Sequence, residues 1–177
     1  MEKFFAGIGS KTAPEEILIK MTKYARILEI LGYKLRSGHA KGSDKAFEIG
    51  ILNPKNKEIF VSKDAQDWAI KMVRDKYLPQ DYLPRAYDEF EYWKPFVKGL
   101  LGRNMMQILG KNGDVPVDFV ICWTPPEDYQ TSKVGGTGYA VRCALALGIP
   151  VYNLVYEEDE KKLKEFISGL IKEKNNL

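Results

Sequence analysis

Short apolar runs alternate with amphipathic segments from one end of the chain to the other, and this alternation constrains the fold more than any other feature. The apolar runs are Lys3–Ile8, Tyr33–Arg36, Glu58–Val61, Val117–Trp123 and Pro150–Leu154. Between them lie segments with the period of a helix. Pro14 opens one, with Glu15 and Glu16 in its first turn and Ile17, Met21, Tyr24, Leu28 and Leu31 on one stripe, and Gly32 ends it. A second runs through Ala46, Phe47 and Ile49 and stops near Asn53-Pro54; a third, capped by Ser62 or Asp64, passes Trp68, Ile70, Met72 and Val73. Phe96–Leu109 reads as a fourth. Gly135–Gly138 opens a fifth, and Glu157–Lys174 forms the last, with Leu163, Phe166, Ile167, Leu170 and Ile171 on its buried side. The run Phe119-Val120-Ile121-Cys122-Trp123 is apolar throughout, as suits an interior strand covered on both faces. Strand-helix alternation of this kind predicts an α/β domain: Rossmann-like, an open, mostly parallel sheet with helices on both faces.

Length and charge set the limits. A chain of 177 residues suits one domain spanning 1–177 and is long enough to bury a core without disulfides or metal. Lys plus Arg number 27 and Asp plus Glu 24, so the net charge is only +3, and nucleic acid would have to be held by a local basic patch. One histidine and two distant cysteines, Cys122 and Cys143, leave no zinc-ligand pattern, and no metal or cofactor is expected. There is no signal-like start and no run of about 18 apolar residues. The expectation is a cytoplasmic protein with reduced thiols and no membrane partner.

Three glycine-bearing loops follow three of the strands. They are Gly7-Ile8-Gly9-Ser10-Lys11-Thr12, Ser37-Gly38-His39-Ala40-Lys41-Gly42-Ser43-Asp44 and Gly135-Gly136-Thr137-Gly138. In a parallel sheet the carboxyl ends of the strands share one edge, where ligands bind at the point of strand-order reversal. Glycine lets backbone approach a phosphate, and a following helix offers unpaired N–H groups. Ser10, Thr12, Ser37, Ser43 and Thr137 add hydroxyls, while Lys11, Lys41 and Arg103 add charge. The set points to an anionic, nucleotide-like ligand. None of the loops fits G-x-x-x-x-G-K-[ST], and Gly7-Ile8-Gly9 does not continue as G-x-G-x-x-G, which argues against a P-loop hydrolase and a standard dinucleotide domain.

The segments GIGSKTAP, RSGHAKGSDKAFEIG, GRNMMQILG, DFVICWTP and GGTGYAVRCALALGIPVYNL occur in this order from Gly7 to Leu154. Through them the chain resembles the superfamily (SLOG) that joins the DNA-processing protein A (Smf) domain to the Lonely Guy phosphoribohydrolases, and it is similar to small phage-encoded DNA-processing-A-like proteins. The resemblance implies a Rossmann-like fold whose loops bind a nucleotide or single-stranded DNA phosphates, in a recombination or signalling role. The ligand positions it implies are Gly9, Ser10, Lys11, Thr12, Ser37, Gly38, Lys41, Gly42, Asp44, Arg103, Asn104, Gly135, Gly136, Thr137 and Gly138. His39 stands where relatives carry a small residue. The phosphoribohydrolases also imply an alternative, cleavage of the N-glycosidic bond of nucleoside monophosphates. Their catalytic glutamate, however, falls at Arg142, so the activity would need Asp44, Glu48 or Asp118 as the acid/base group.

Several residues carry two readings. His39 is a general base or a hydrogen-bonding loop residue. Asp44 orients a ribose hydroxyl or caps the helix that begins near Gly42. Arg103 holds a phosphate or pairs with a surface carboxylate, phosphate being favoured by its motif position. Arg142 is a second phosphate clamp or a solvated charge, and Trp123 stacks on a base or packs in the core. The aromatic stretch from Tyr77 to Phe96 is a base platform, or a packed lid or contact in a homo-oligomer, the latter favoured because Asp81, Asp88, Glu89 and Glu91 lie within it.

Overall fold

The computed structural model describes residues 2–77, 90–127 and 136–176. Five strands, β1 (Lys3–Gly9), β2 (Tyr33–Ser37), β3 (Lys57–Ile59), β4 (Phe119–Trp123) and β5 (Val151–Asn153), form one sheet in the order β3-β2-β1-β4-β5. Every neighbouring pair is parallel. The helices are α1 (Glu15–Ile30), α2 (Ser43–Gly50), α3 (Asp67–Met72), α4 (Pro95–Leu109), α5 (Gly136–Ala146) and α6 (Glu157–Asn175), and a π-helical stretch, Val73–Tyr77, continues α3. The predicted third strand, Glu58–Val61, lies one residue earlier in fact and is shorter, and the aromatic stretch from Tyr77 to Phe96 falls largely outside the described residues.

Side-chain alternation along β1 and β4 divides the interior into two cores. Phe5 on β1 and Phe119 and Ile121 on β4 face α1, α2 and α6, where they meet Met21, Leu28, Phe47 and Leu163. Phe4, Ala6 and Ile8, with Val120 and Cys122, face α3, α4 and α5, where they meet Ala69, Met105, Ile108 and Ala140. Both faces of the two central strands are therefore apolar, which is why β4 reads as an unbroken hydrophobic run. Phe119 is ringed by Phe5, Tyr33, Tyr152 and Phe166 at centroid distances of 5.0–6.0 Å. Burying a side chain of this size contributes roughly 1.5–3 kcal/mol.

The order of the strands decides where a ligand can bind. The chain moves outward from β1 to β2 and β3, then crosses back to β4 on the other side of β1. The connections after β1 and β4 consequently leave in opposite directions, and a crevice opens between their carboxyl ends. Parallel register sets Gly9 beside Trp123 at that edge, and Ser10 N–H donates to the Trp123 carbonyl at 2.9 Å.

Candidate anion-binding site

A cavity of about 270 Å³ occupies this crevice. Ile8, Gly9, Ser10 and Lys11 at the end of β1 form one wall, and Arg103, Asn104 and Gln107 from one side of α4 form another. Gly136 and Thr137, the first residues of α5, and Ala40 and Asp44 from the β2–α2 connection complete it. Its volume is near the lower bound for small-molecule sites, about 300 Å³, and suits one nucleotide-sized unit.

The β2–α2 connection is shaped around Arg103. Arg103 donates to the Gly38 carbonyl and lies 3.7 Å from Asp44 Oδ2. A Cβ on Gly38 would overlap the Arg103 guanidinium, so only glycine lets this side chain pass. Gly42 serves a different need: with φ at +80° it turns the chain into α2, and a Cβ there would come within 2.7 Å of the Lys11 backbone. The two loops are also joined directly, because Ser43 Oγ donates to the Ser10 carbonyl at 2.8 Å.

Asp44 sits in the first turn of α2 but does not cap it. Gly42 is the N-cap residue, and no side chain caps that end. The Asp44 carboxylate reaches back and accepts from Gly38 N–H at 3.0 Å, which holds the loop shut over Arg103. Only 3% exposed, Asp44 is desolvated, and burial pushes its carboxyl up to about 6 despite the pull of Arg103 and of the Gly38 and Ala40 N–H groups. Neighbouring Glu48 adds to the rise. Arg103 is lowered from its ordinary value by its own burial, against the attraction of Asp44 and Glu48.

His39 does not line the cavity. It takes the left-handed region at φ 58°, alone among the described non-glycine residues, and its Nδ1 donates to Glu48 Oε2 at 2.7 Å. Ala40, the next residue, lines the cavity instead. Of the carboxylates considered as acid/base groups, only Asp44 reaches the cavity. Glu48 is tied to His39 and Lys45, and Asp118 accepts from Phe4 N–H at 2.8 Å at the amino end of the strands, the opposite edge.

No family model matches the chain, and no curated protein matches it in sequence. Its structure superposes on DNA processing protein A from Helicobacter pylori with a TM-score of 0.59 and 19% sequence identity, covering 97% of this chain and 81% of that one. The fold is that of DNA processing protein A. The Helicobacter pylori protein binds single-stranded DNA, in a mode described as unique to it.

Against this DNA processing protein A fold, the residues singled out in the sequence separate into two groups. Gly9, Ser10, Lys11, Asp44, Arg103, Asn104, Gly136 and Thr137 line one cavity. Asn104 does so while donating through Nδ2 to the Gly136 carbonyl, so it also fixes the start of α5 against α4. The others lie outside the cavity wall. Ser37 is fully buried, with Oγ donating to the Asp44 carbonyl at 3.4 Å, and Thr12 is exposed, paired with Ser10 Oγ at 2.8 Å. Gly38 and Gly42 shape the loop, Lys41 points to solvent and Gly138 is buried inside α5. Gly135 lies outside the described residues. Arg142 is half-buried on α5 and is not part of the wall; Trp123 packs partly against the core under α1, α2 and α6. Gln107 was missed, because a glutamine one turn past Arg103 carries no motif; the helical i, i+4 spacing was the available signal.

Proposed function

We propose that this chain binds single-stranded nucleic acid by taking one phosphate into the crevice between β1 and β4. The observation that carries this reading is the convergence there of Arg103, Lys11 and the first turn of α5 on a cavity the size of a single nucleotide. Two cations and a helix N-terminus attract an anion, and the guanidinium can offer paired donors to phosphate oxygens. The likeness to a fold whose representative binds single-stranded DNA supports the same reading. The net charge of +3 is compatible with a compact phosphate site and gives little help in wrapping a long strand. Fluorescence anisotropy of a labelled oligothymidylate, titrated at several salt concentrations, tests this. Binding should weaken with salt at a slope of about 0.7 per phosphate contacted. Absence of binding at low salt would refute it.

A second reading is favoured by one observation, the presence of Asp44 in the cavity with its carboxyl held near 6. A carboxyl poised close to neutral pH can transfer a proton, and the alternative activity, release of free base from nucleoside monophosphates, would use it. Chromatographic detection of free base after incubation with the four common monophosphates decides this. Base release abolished in Asp44→Asn supports the hydrolase, and no release from any of the four removes it.

A further inference from the structure

The cavity contains two buried donors without partners among the described residues. Gln107 is 2% exposed and lines the cavity, yet its Nε2 has no hydrogen bond to any described residue, and neither does Arg103 Nε. The two residues are one turn apart on α4, so their side chains stack on the same helix face. Both press on the same spot of the β2–α2 loop: a Cβ built on Gly38 would meet the Arg103 guanidinium and, at 2.8 Å, Gln107 Nε2.

A buried amide donor without a partner has lost its water and gained nothing in return. The position has an easy apolar solution, since methionine or leucine matches glutamine in helix propensity and in approximate size. Glutamine at this place therefore asks for an acceptor, and the cavity in front of it is the space from which one can come. Arg103 packs beside it against Gly38, with its guanidinium on the Gly38 carbonyl.

We propose that Arg103 and Gln107 form a two-point clamp on a single phosphate of the bound strand, Arg103 supplying charge and Gln107 a neutral donor. This rests on the phosphate reading of the cavity and adds a residue that reading does not itself require. A neutral donor contributes to affinity at every salt concentration equally, because it displaces no counterion, whereas a cation contributes to the salt slope as well.

The test is Gln107→Met, with Gln107→Leu in parallel, measured by anisotropy on an oligothymidylate and on an abasic strand of the same length, with thermal denaturation of each protein. Binding should weaken about tenfold on both strands, with the salt slope unchanged and the melting temperature equal to or above that of the wild type. Undiminished binding by both variants overturns the clamp while leaving the phosphate site standing. A drop of several degrees in melting temperature in both variants assigns Gln107 to the scaffold and overturns it as well. A loss confined to the thymidine strand assigns the amide to a base and not a phosphate. If the wild type binds neither strand at low salt, the phosphate reading fails and the clamp fails with it.

Discussion

Asp44 and Glu160 are both buried carboxylates with a cation beside them, 3% and 8% exposed, and their acidities are shifted in opposite directions. Burial alone would raise both. At Glu160 it is outweighed: Lys164 and Lys20 donate at 2.8 and 2.7 Å and the Tyr24 hydroxyl at 3.0 Å, which brings the carboxyl down to about 2. This cluster bolts α6 to α1 and takes no part in the cavity wall, and its partners reach it at hydrogen-bond distance. At Asp44 the arginine stands at 3.7 Å, its guanidinium engaged with a backbone carbonyl, and burial dominates. The chain can build a well-satisfied ion cluster and does so where two helices need joining. At the cavity it leaves Arg103 Nε and Gln107 Nε2 without partners among the described residues, and Glu48 Oε1 behind the β2–α2 loop is in the same state. Such a concentration of poorly satisfied polar groups marks a site kept for something other than stability.

The contrast can be broken most directly at Arg103. Arg103→Gln should weaken binding to a labelled oligothymidylate by about 100-fold at low salt and reduce the salt slope by about 0.7; a variant that binds as well as the wild type would place the anion elsewhere. Gly38→Ala comes next. Its Cβ must displace the guanidinium, at a cost of about 1–3 kcal/mol in chemical denaturation together with weaker binding. Glu160→Gln should behave in the other way, losing about 1–2 kcal/mol with no change in binding, since its lysines are largely exposed and contribute modestly.

The effects of pH should run in opposite directions at the two carboxylates. The depressed carboxyl of Glu160 contributes stability that is complete above its ordinary value of 4.5 and is lost as the pH falls toward 2. The raised carboxyl of Asp44 contributes stability that is complete below 3.8 and is lost as the pH rises through about 6. Glu160→Gln should therefore flatten the acid limb of a stability profile, and Asp44→Asn the limb between 3.8 and 6. Binding should strengthen as the pH falls through about 6, by at most tenfold per pH unit for one proton, because protonated Asp44 no longer competes for Arg103 or repels the phosphate. Asp44→Asn should bind with no such dependence; an unchanged dependence in that variant would assign the proton to another group.

Much of the fold was legible because its signals are local. Phe119–Trp123 is apolar at every position since both faces of β4 are covered, and Gly32 and Gly148 end their helices in φ-positive conformations that the residue type announces. The edge strand β3 was placed one residue late because a three-residue strand has too few side chains to show a period. In the site, the glycine loops could be recognised, but the roles within them could not. Ser37 and Ser10 are equally plausible hydroxyl donors in the sequence; one is spent on the Asp44 carbonyl inside the protein and the other lines the cavity. Asp44 stands where a helix cap would be expected, yet its carboxylate turns back to Gly38, a choice made by the arginine arriving from a helix 59 positions later.

By itself the sequence determined the alternation of strands and helices, the parallel sheet that follows from it and the edge on which its loops must gather, since periodicity, turn residues and chain connectivity are properties of neighbouring residues. Only the tertiary structure decided that β1 and β4 lie side by side, that α4 brings Arg103 and Gln107 against Gly38, and which polar groups are left without partners there. Burial and hydrogen-bond satisfaction are set by atoms far apart along the chain, and no local pattern encodes them.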